Sequence, residues 1–217
     1  MEEIKAQFQT LFFGTVAFTQ AFLPHFRARR TGHILNVGSA GSFGAFASWG
    51  AYVTAKAALI AFTDSLHGEM KPFGVQVLTI VPGYFPTEFI PTLDKKQRPQ
   101  SKVYTDPSQG FGGAALIHET HWDAKEIGDK NKFAARVHEV VTRTGMAKNL
   151  VLKEDGKYDW TLVPLGSDCD SLIREKLEAM LENVKAMEPM WRSVNMDSEK
   201  MRLIPRNHRT DNAKAKL

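Results

Sequence analysis

Three features of the sequence predict an α/β domain built on a parallel sheet. Residues 4–83 read as helix, strand, helix, strand. The second strand, residues 75–81 (Val-Gln-Val-Leu-Thr-Ile-Val), is apolar almost throughout, as a strand covered on both faces must be. Between the first strand and the second helix lies a loop of small residues and hydroxyls. An open parallel sheet keeps its crevice at that edge.

The first helix is predicted over residues 4–29, where Ile4, Phe8, Leu11, Phe12, Phe18, Phe22 and Phe26 recur mostly at helical spacing. Pro24 marks an expected kink or early end. Residues 33–37 (His-Ile-Leu-Asn-Val) form a short strand, and residues 38–50 the loop. A second helix follows over 51–71 and stops near Pro72 and Gly74. Pro82 and Gly83 end the second strand. Residues 84–130, rich in proline, glycine and charge, predict a loop-heavy cap. A helix is expected over 132–144 and a last short strand at Leu162–Leu165. Another helix spans 170–188, with Ile173, Leu177, Met180, Leu181, Val184 and Met187 on one face and Asp168 or Asp170 as its cap. Residues 1–90 thus form the first strand-and-helix part of the domain, 91–190 its cap, last strand and closing helices, and 191–217 a basic tail without ordered structure.

Composition narrows the function classes. The 217 residues are 43% apolar and 24% charged, enough for an ordinary core. The single cysteine, Cys169, excludes an internal disulfide and a thiolate metal site, and fits a cytoplasmic protein. No run of about 18 apolar residues predicts a transmembrane helix, and Glu2 and Glu3 after Met1 argue against a secretory signal. The net charge of +4 is concentrated in the tail, at Lys200, Arg202, Arg206, Arg209, Lys214 and Lys216. It reads as a solvated extension rather than a nucleic-acid surface.

Ser39 lies in the loop after the first strand, and Tyr52 and Lys56 share one face of the second helix. A free phenol, with a pKa of about 10, is a poor base at neutral pH. An ammonium one turn away favours the phenolate and lowers that pKa. The phenol then exchanges a proton with an alcohol or carbonyl, while the serine hydroxyl holds the substrate oxygen. The adjoining carbon needs a hydride partner. Side chains supply none, so a nicotinamide is implied.

Asn36-Val37-Gly38-Ser39, Tyr52-Val53-Thr54-Ala55-Lys56 and Val81-Pro82-Gly83-Tyr84-Phe85-Pro86-Thr87 together resemble the active-site half of the short-chain dehydrogenases/reductases. Tyr52 follows Ser39 by 13 residues and precedes Pro82 by 30, in that family's register. The likeness is close over residues 2–90. It continues more loosely through Ile127-Gly128-Asp129, residues 140–145 and Leu165-Gly166-Ser167-Asp168-Cys169, in the manner of fungal members and of the hydroxysteroid- and retinol-dehydrogenase-like branch.

The resemblance implies a partial Rossmann-like doubly wound parallel sheet lacking its first βαβ units, roughly 90 residues, with a C-terminal helical extension. It implies Tyr52 as acid/base and Ser39 as the residue orienting the substrate oxygen. Lys56 would lower the Tyr52 pKa and hold the nicotinamide ribose. Tyr52, Lys56, Pro82, Gly83 and Thr87 would bind the cofactor, NADP or NAD with NADP preferred. The substrate would be a small hydrophobic alcohol or carbonyl compound, and a homodimer would form through helices 4–29 and 51–71. One departure stands out: Leu11 occupies the place of an asparagine that positions a water in the family's proton relay.

Other readings are weaker. Val37-Gly38-Ser39-Ala40-Gly41 looks like a hydrolase nucleophile elbow, but Val37 stands where that motif needs glycine. Gly38, Gly41 and Gly44 fit neither a dinucleotide fingerprint nor a phosphate loop. Residues 110–113 (Gly-Phe-Gly-Gly) read as a flexible loop. His118, Glu119 and His121 lack metal-site spacing and a third ligand, so no metal is expected. A chain of this family with impaired dinucleotide binding is the main rival to an active oxidoreductase.

Overall fold

The structure, a computed structural model, describes residues 1–44, 49–89, 128–150 and 160–195. It divides into two compact units, Met1–Lys176 and Leu177–Leu217.

The first unit is built on β1 (Gly32–Val37), β2 (Val75–Pro82) and β3 (Leu162–Leu165), a parallel sheet in the order β1-β2-β3. Gly32 pairs with Val75 and Val37 with Ile80, and Thr79 pairs with Leu162 and Pro82 with Leu165. The central strand is β2, and residues 75–81 are all buried. Its residues divide between two faces, as strand pleating requires. Val75 and Val77 meet Leu23, Leu66 and Met70, from α2 (Gly14–Arg29) and α3 (Gly50–Met70). Leu78 and Ile80 meet Val140 of α4 (Lys130–Thr142), together with Ala147 and Val163. Helices therefore cover both faces, which explains the unbroken apolar run of β2.

The N-terminal helix predicted over 4–29 is helical throughout but not uniform. α1 (Glu2–Phe8) passes into a π-helical segment (Gln9–Phe13) and then into α2. Pro24 neither ends nor divides α2, which runs on to Arg29. A proline withdraws the hydrogen bond to the carbonyl four residues back. Gln20 and Pro24 are both exposed, so solvent can satisfy that carbonyl. α3 begins one residue before its predicted start and ends one residue before its predicted end. α4 starts and ends two residues before the helix expected over 132–144, and β3 coincides with its expected span.

α5 (Ser167–Ala186) begins three residues before its predicted start. Asp168 and Asp170 lie in its first turn rather than at a cap. Asp170 pairs with Arg174, while the Asp168 carboxylate accepts the distant Tyr84 N–H. The second unit contains the end of α5 and α6 (Glu188–Ser193), where Trp191 Nε1 donates to the Val184 carbonyl at 3.0 Å. The tail expected from residue 191 thus starts as helix, and its remainder lies outside the described residues. So do residues 110–113, His118, Glu119, His121 and most of the expected cap over 84–130. No helix among the described residues is long and apolar enough to cross a membrane.

Candidate active site

The site grows out of the carboxyl edge of the sheet. The Gly38 N–H donates to the Ile80 carbonyl at 2.8 Å, carrying the β1–β2 pairing one residue past β1. Close packing accompanies it, for a Cβ on Gly38 would lie 2.9 Å from Thr79 Cγ2. Ser39 is extended, with φ −163° and ψ 143°, and its Oγ accepts the Gly41 N–H at 3.1 Å to open a short 3₁₀ turn. This turn aims the hydroxyl toward the start of α3, where Tyr52 sits in the first helical turn.

The Tyr52 ring packs among aromatic neighbours. Trp49 meets it edge-on at 5.5 Å between centroids, and Phe89 lies 5.4 Å away at 43°. Burial there pushes the phenol pKa above its ordinary value, and a hydrogen bond with the Ser39 side chain offsets part of that rise. One turn further, Lys56 Nζ donates to the Val37 carbonyl at 2.8 Å, and burial lowers the lysine pKa. The sequence argument had Lys56 pulling the phenol pKa down. In the structure the net shift is upward, because desolvation outweighs the Ser39 hydrogen bond and the ammonium is engaged by the end of β1.

Ser39, Tyr52, Pro82, Gly83 and Thr87, all expected from the sequence, line one cleft of about 220 Å³. Lys56 lies behind it, reaching β1 rather than the cleft. Among the further lining residues that the sequence reading did not assign to the site are Trp49, Phe85, Phe89, Asp168 and Leu172. Trp49 carried a usable signal, being an aromatic residue just before the first turn of α3, which holds Tyr52. Asp168 carried none beyond its reading as a helix cap, because its partner Tyr84 is 84 residues away.

The cleft suits a flat, mostly apolar ring with a few polar edges. The Tyr52 phenol, the Ser39 side chain and the Pro82–Gly83 segment all line it. These residues fit the nicotinamide end of a dinucleotide. The described residues include no glycine-rich turn leading into a helix N-terminus, the usual cradle for a pyrophosphate. No histidine among the described residues lines the cleft, whereas a serine hydrolase sets an imidazole base beside its nucleophile. No group of three or more His, Cys, Asp or Glu among the described residues is placed to hold a metal ion.

Comparison with known proteins agrees with this geometry. The chain is 36% identical over 150 residues to the uncharacterized oxidoreductase YusZ of Bacillus subtilis (strain 168), spanning 69% of this chain and 52% of that protein. It is 37% identical over 87 residues to oxidoreductase claN of Passalora fulva, 40% of each chain. It is 33% identical over 108 residues to the NADPH-dependent 1-acyldihydroxyacetone phosphate reductase of Schizosaccharomyces pombe (strain 972), 48% of this chain and 36% of that one. The chain thus spans about half the length, or less, of these relatives. Its fold matches a short-chain dehydrogenase from Streptomyces avermitilis with a TM-score of 0.70 at 23% identity, over 90% of this chain and 64% of that one. A sequence model described as short chain dehydrogenase matches residues 1–98, the stretch that carries Ser39, Tyr52, Lys56 and Pro82–Gly83, which marks these residues as a segment of the short-chain dehydrogenase kind.

Proposed function

We propose that this protein is an NAD(P)-dependent oxidoreductase that interconverts a secondary alcohol and a ketone, or an aldehyde, with Tyr52 exchanging the proton. The observation that carries the reading is the pairing of the Tyr52 phenol with the Ser39 hydroxyl at a cleft bounded by Pro82 and Gly83. The nicotinamide, when bound, supplies or accepts the hydride. Everything else falls to side chains and backbone. Tyr52 gives its proton to the carbonyl oxygen in reduction and takes one from the alcohol in oxidation. Ser39 holds that oxygen as charge develops on it. Lys56, tied to the end of β1, stands one helical turn behind the phenol as the residue for the ribose. Pro82, Gly83 and Thr87 face the nicotinamide end.

Trp49, Phe85, Phe89 and Leu172 make the wall of the cleft largely apolar, which favours a hydrophobic alcohol or carbonyl substrate. The NADPH-dependent relative from Schizosaccharomyces pombe supports NADP over NAD. The lone, buried Cys169 suits a reducing compartment such as the cytoplasm.

Tyr52→Phe is the direct test. It is expected to lower turnover by about 10²–10⁴-fold, read by steady-state kinetics, with NADPH binding followed separately by fluorescence titration. Turnover that survives the substitution removes Tyr52 from the reaction.

A second reading has its own observation. The described residues offer no pyrophosphate cradle, and Leu11 stands at the asparagine position of the relay. Under that reading the chain binds dinucleotide poorly and does not turn over. Saturable NADPH binding by the 217-residue chain contradicts it, and failure to bind supports it.

A further inference from the structure

Three ties join the end of β2 to the junction of β3 and α5. The Cys169 thiol donates to the Val81 carbonyl at 3.4 Å. Burial, and then the charge of Asp168, push that thiol up to about 11, so it keeps the proton it donates. The Gly83 N–H donates to the Leu165 carbonyl at 2.9 Å. The Tyr84 N–H donates to Asp168 Oδ2 at 2.6 Å. Of Leu165, Asp168 and Cys169, it is Asp168 that also lines the cleft.

The seat for this carboxylate is shaped by two glycines. A Cβ on Gly83 would overlap the Asp168 carboxylate. A Cβ on Gly166 would lie 2.6 Å from Asp168 Oδ1, and Gly166 has φ +130°, where a side chain is strained. The same Cβ on Gly166 would lie 3.3 Å from Gly83 Cα. Such tolerances admit the carboxylate in one place.

The Gly83–Tyr84 peptide is trans, so the Tyr84 N–H and the Gly83 carbonyl point in opposite directions. Holding the N–H on Asp168 therefore turns the Gly83 carbonyl to the other side of the peptide plane. A carboxylate acceptor makes this a charge-assisted bond, stronger than one between neutral groups.

We propose that Asp168 is a positioning residue for cofactor binding: it clamps the Gly83–Tyr84 peptide so that the Gly83 carbonyl is presented as an acceptor to the nicotinamide carboxamide. The inference rests on the oxidoreductase reading above. It assigns Asp168 no contact with the reacting atoms.

The test uses the complete 217-residue chain, Asp168→Ala and Asp168→Asn. Hydrogen exchange at the Tyr84 amide reads the clamp directly. Fluorescence titration with NADPH and the split between KM and kcat read its consequence. In Asp168→Ala, Tyr84 is expected to exchange about tenfold faster or more. The KM for NADPH is expected to rise by about the same factor while kcat changes little. In Asp168→Asn, whose side-chain oxygen still accepts, both are expected to stay within about threefold of the unsubstituted chain. Where the alanine variant fails to fold, Asp168→Ser, whose hydroxyl is too short to reach the Tyr84 amide, decides: Tyr84 exchange faster by about tenfold supports the clamp, and exchange as slow as in the unsubstituted chain overturns it. Unchanged Tyr84 exchange in a folded alanine variant overturns it, and so does a fall in kcat at constant KM. If the unsubstituted chain does not bind NADPH, the oxidoreductase reading fails and the nicotinamide role fails with it. Exchange at Tyr84 still reports separately on the clamp.

Discussion

Burial beside Trp49 and Phe89 favours the neutral Tyr52 phenol, so the residue titrates late. In the free chain its tyrosinate is expected to form above the ordinary value of about 10, because desolvation outweighs the Ser39 hydrogen bond. Difference absorbance between the unsubstituted chain and Tyr52→Phe measures this, and a midpoint near neutrality would show that Lys56 governs the phenol instead. The sign carries over to stability. The folded pKa lies above the unfolded one, so the contribution from the neutral phenol is complete below about pH 10 and is lost as pH rises through the folded value. It carries over to activity as well. In the proposed reaction, carbonyl reduction would use the protonated phenol, so its rate is expected to be flat through neutral pH. Alcohol oxidation would use the phenolate, so its rate is expected to climb with pH. Ser39 and Tyr52 were legible in the sequence because their spacing is local to one strand–loop–helix unit. The direction of the Tyr52 pKa was not, since it depends on Trp49, Phe89 and the engagement of Lys56 by Val37, which only the folded chain brings together.

At the scale of elements, β1 and α3 are joined by a buried polar pair. Asn36 Nδ2 donates to Thr63 Oγ1 at 2.9 Å, and Thr63 passes its own proton to the Leu59 carbonyl at 2.7 Å. Both residues are buried. Thr63→Val keeps the shape and removes the acceptor, leaving the Asn36 amide short of a partner. The expected cost is about 1–3 kcal/mol. For a chain of this size that is several degrees of melting temperature, at about 2–4 °C per kcal/mol. Thr63→Ser, which keeps the hydroxyl, is expected to recover most of it. A melting temperature unchanged by valine would mean that the pair contributes nothing to stability. The elements themselves were legible wherever burial repeats along the chain. β2 was, because both its faces meet helices, and so was α3, whose Ala55, Leu59, Leu66 and Met70 recur on its buried side. The π-helical segment at Gln9–Phe13 was not, because one residue of slippage in a helix leaves the apolar spacing nearly intact. Nor was the Asp168–Tyr84 tie, which joins α5 to the segment after β2 by tertiary contact alone.

At the scale of the whole molecule, the outer side of the N-terminal helices carries exposed apolar rings. Phe13, Phe18 and Phe22 are 53%, 69% and 46% exposed, and Phe18 and Phe22 stack at 4.9 Å. Apolar residues gathered on adjoining turns of one helix are characteristic of an association surface. The homodimer proposed through helices 4–29 and 51–71 would cover them. Sedimentation velocity on the 24.3 kDa chain is expected to show a species of twice that mass. Phe18→Lys is expected to convert it to monomer with the melting transition retained, because the ring lies outside the core. Two-fold symmetry counts each substitution twice. Two lost burials of about 2 kcal/mol each weaken the dimer by on the order of a thousandfold. A chain that sediments as a monomer at tens of micromolar would defeat the dimer. Unlimited aggregation relieved by Phe18→Lys would defeat it as well, showing an adhesive face without a closed two-fold contact. The distinction bears on catalysis, since α3 carries both Tyr52 and part of the proposed interface. A dimer that stiffens α3 is expected to hold the phenol against Ser39 more firmly, so that monomeric Phe18→Lys loses turnover while its cleft residues remain unaltered.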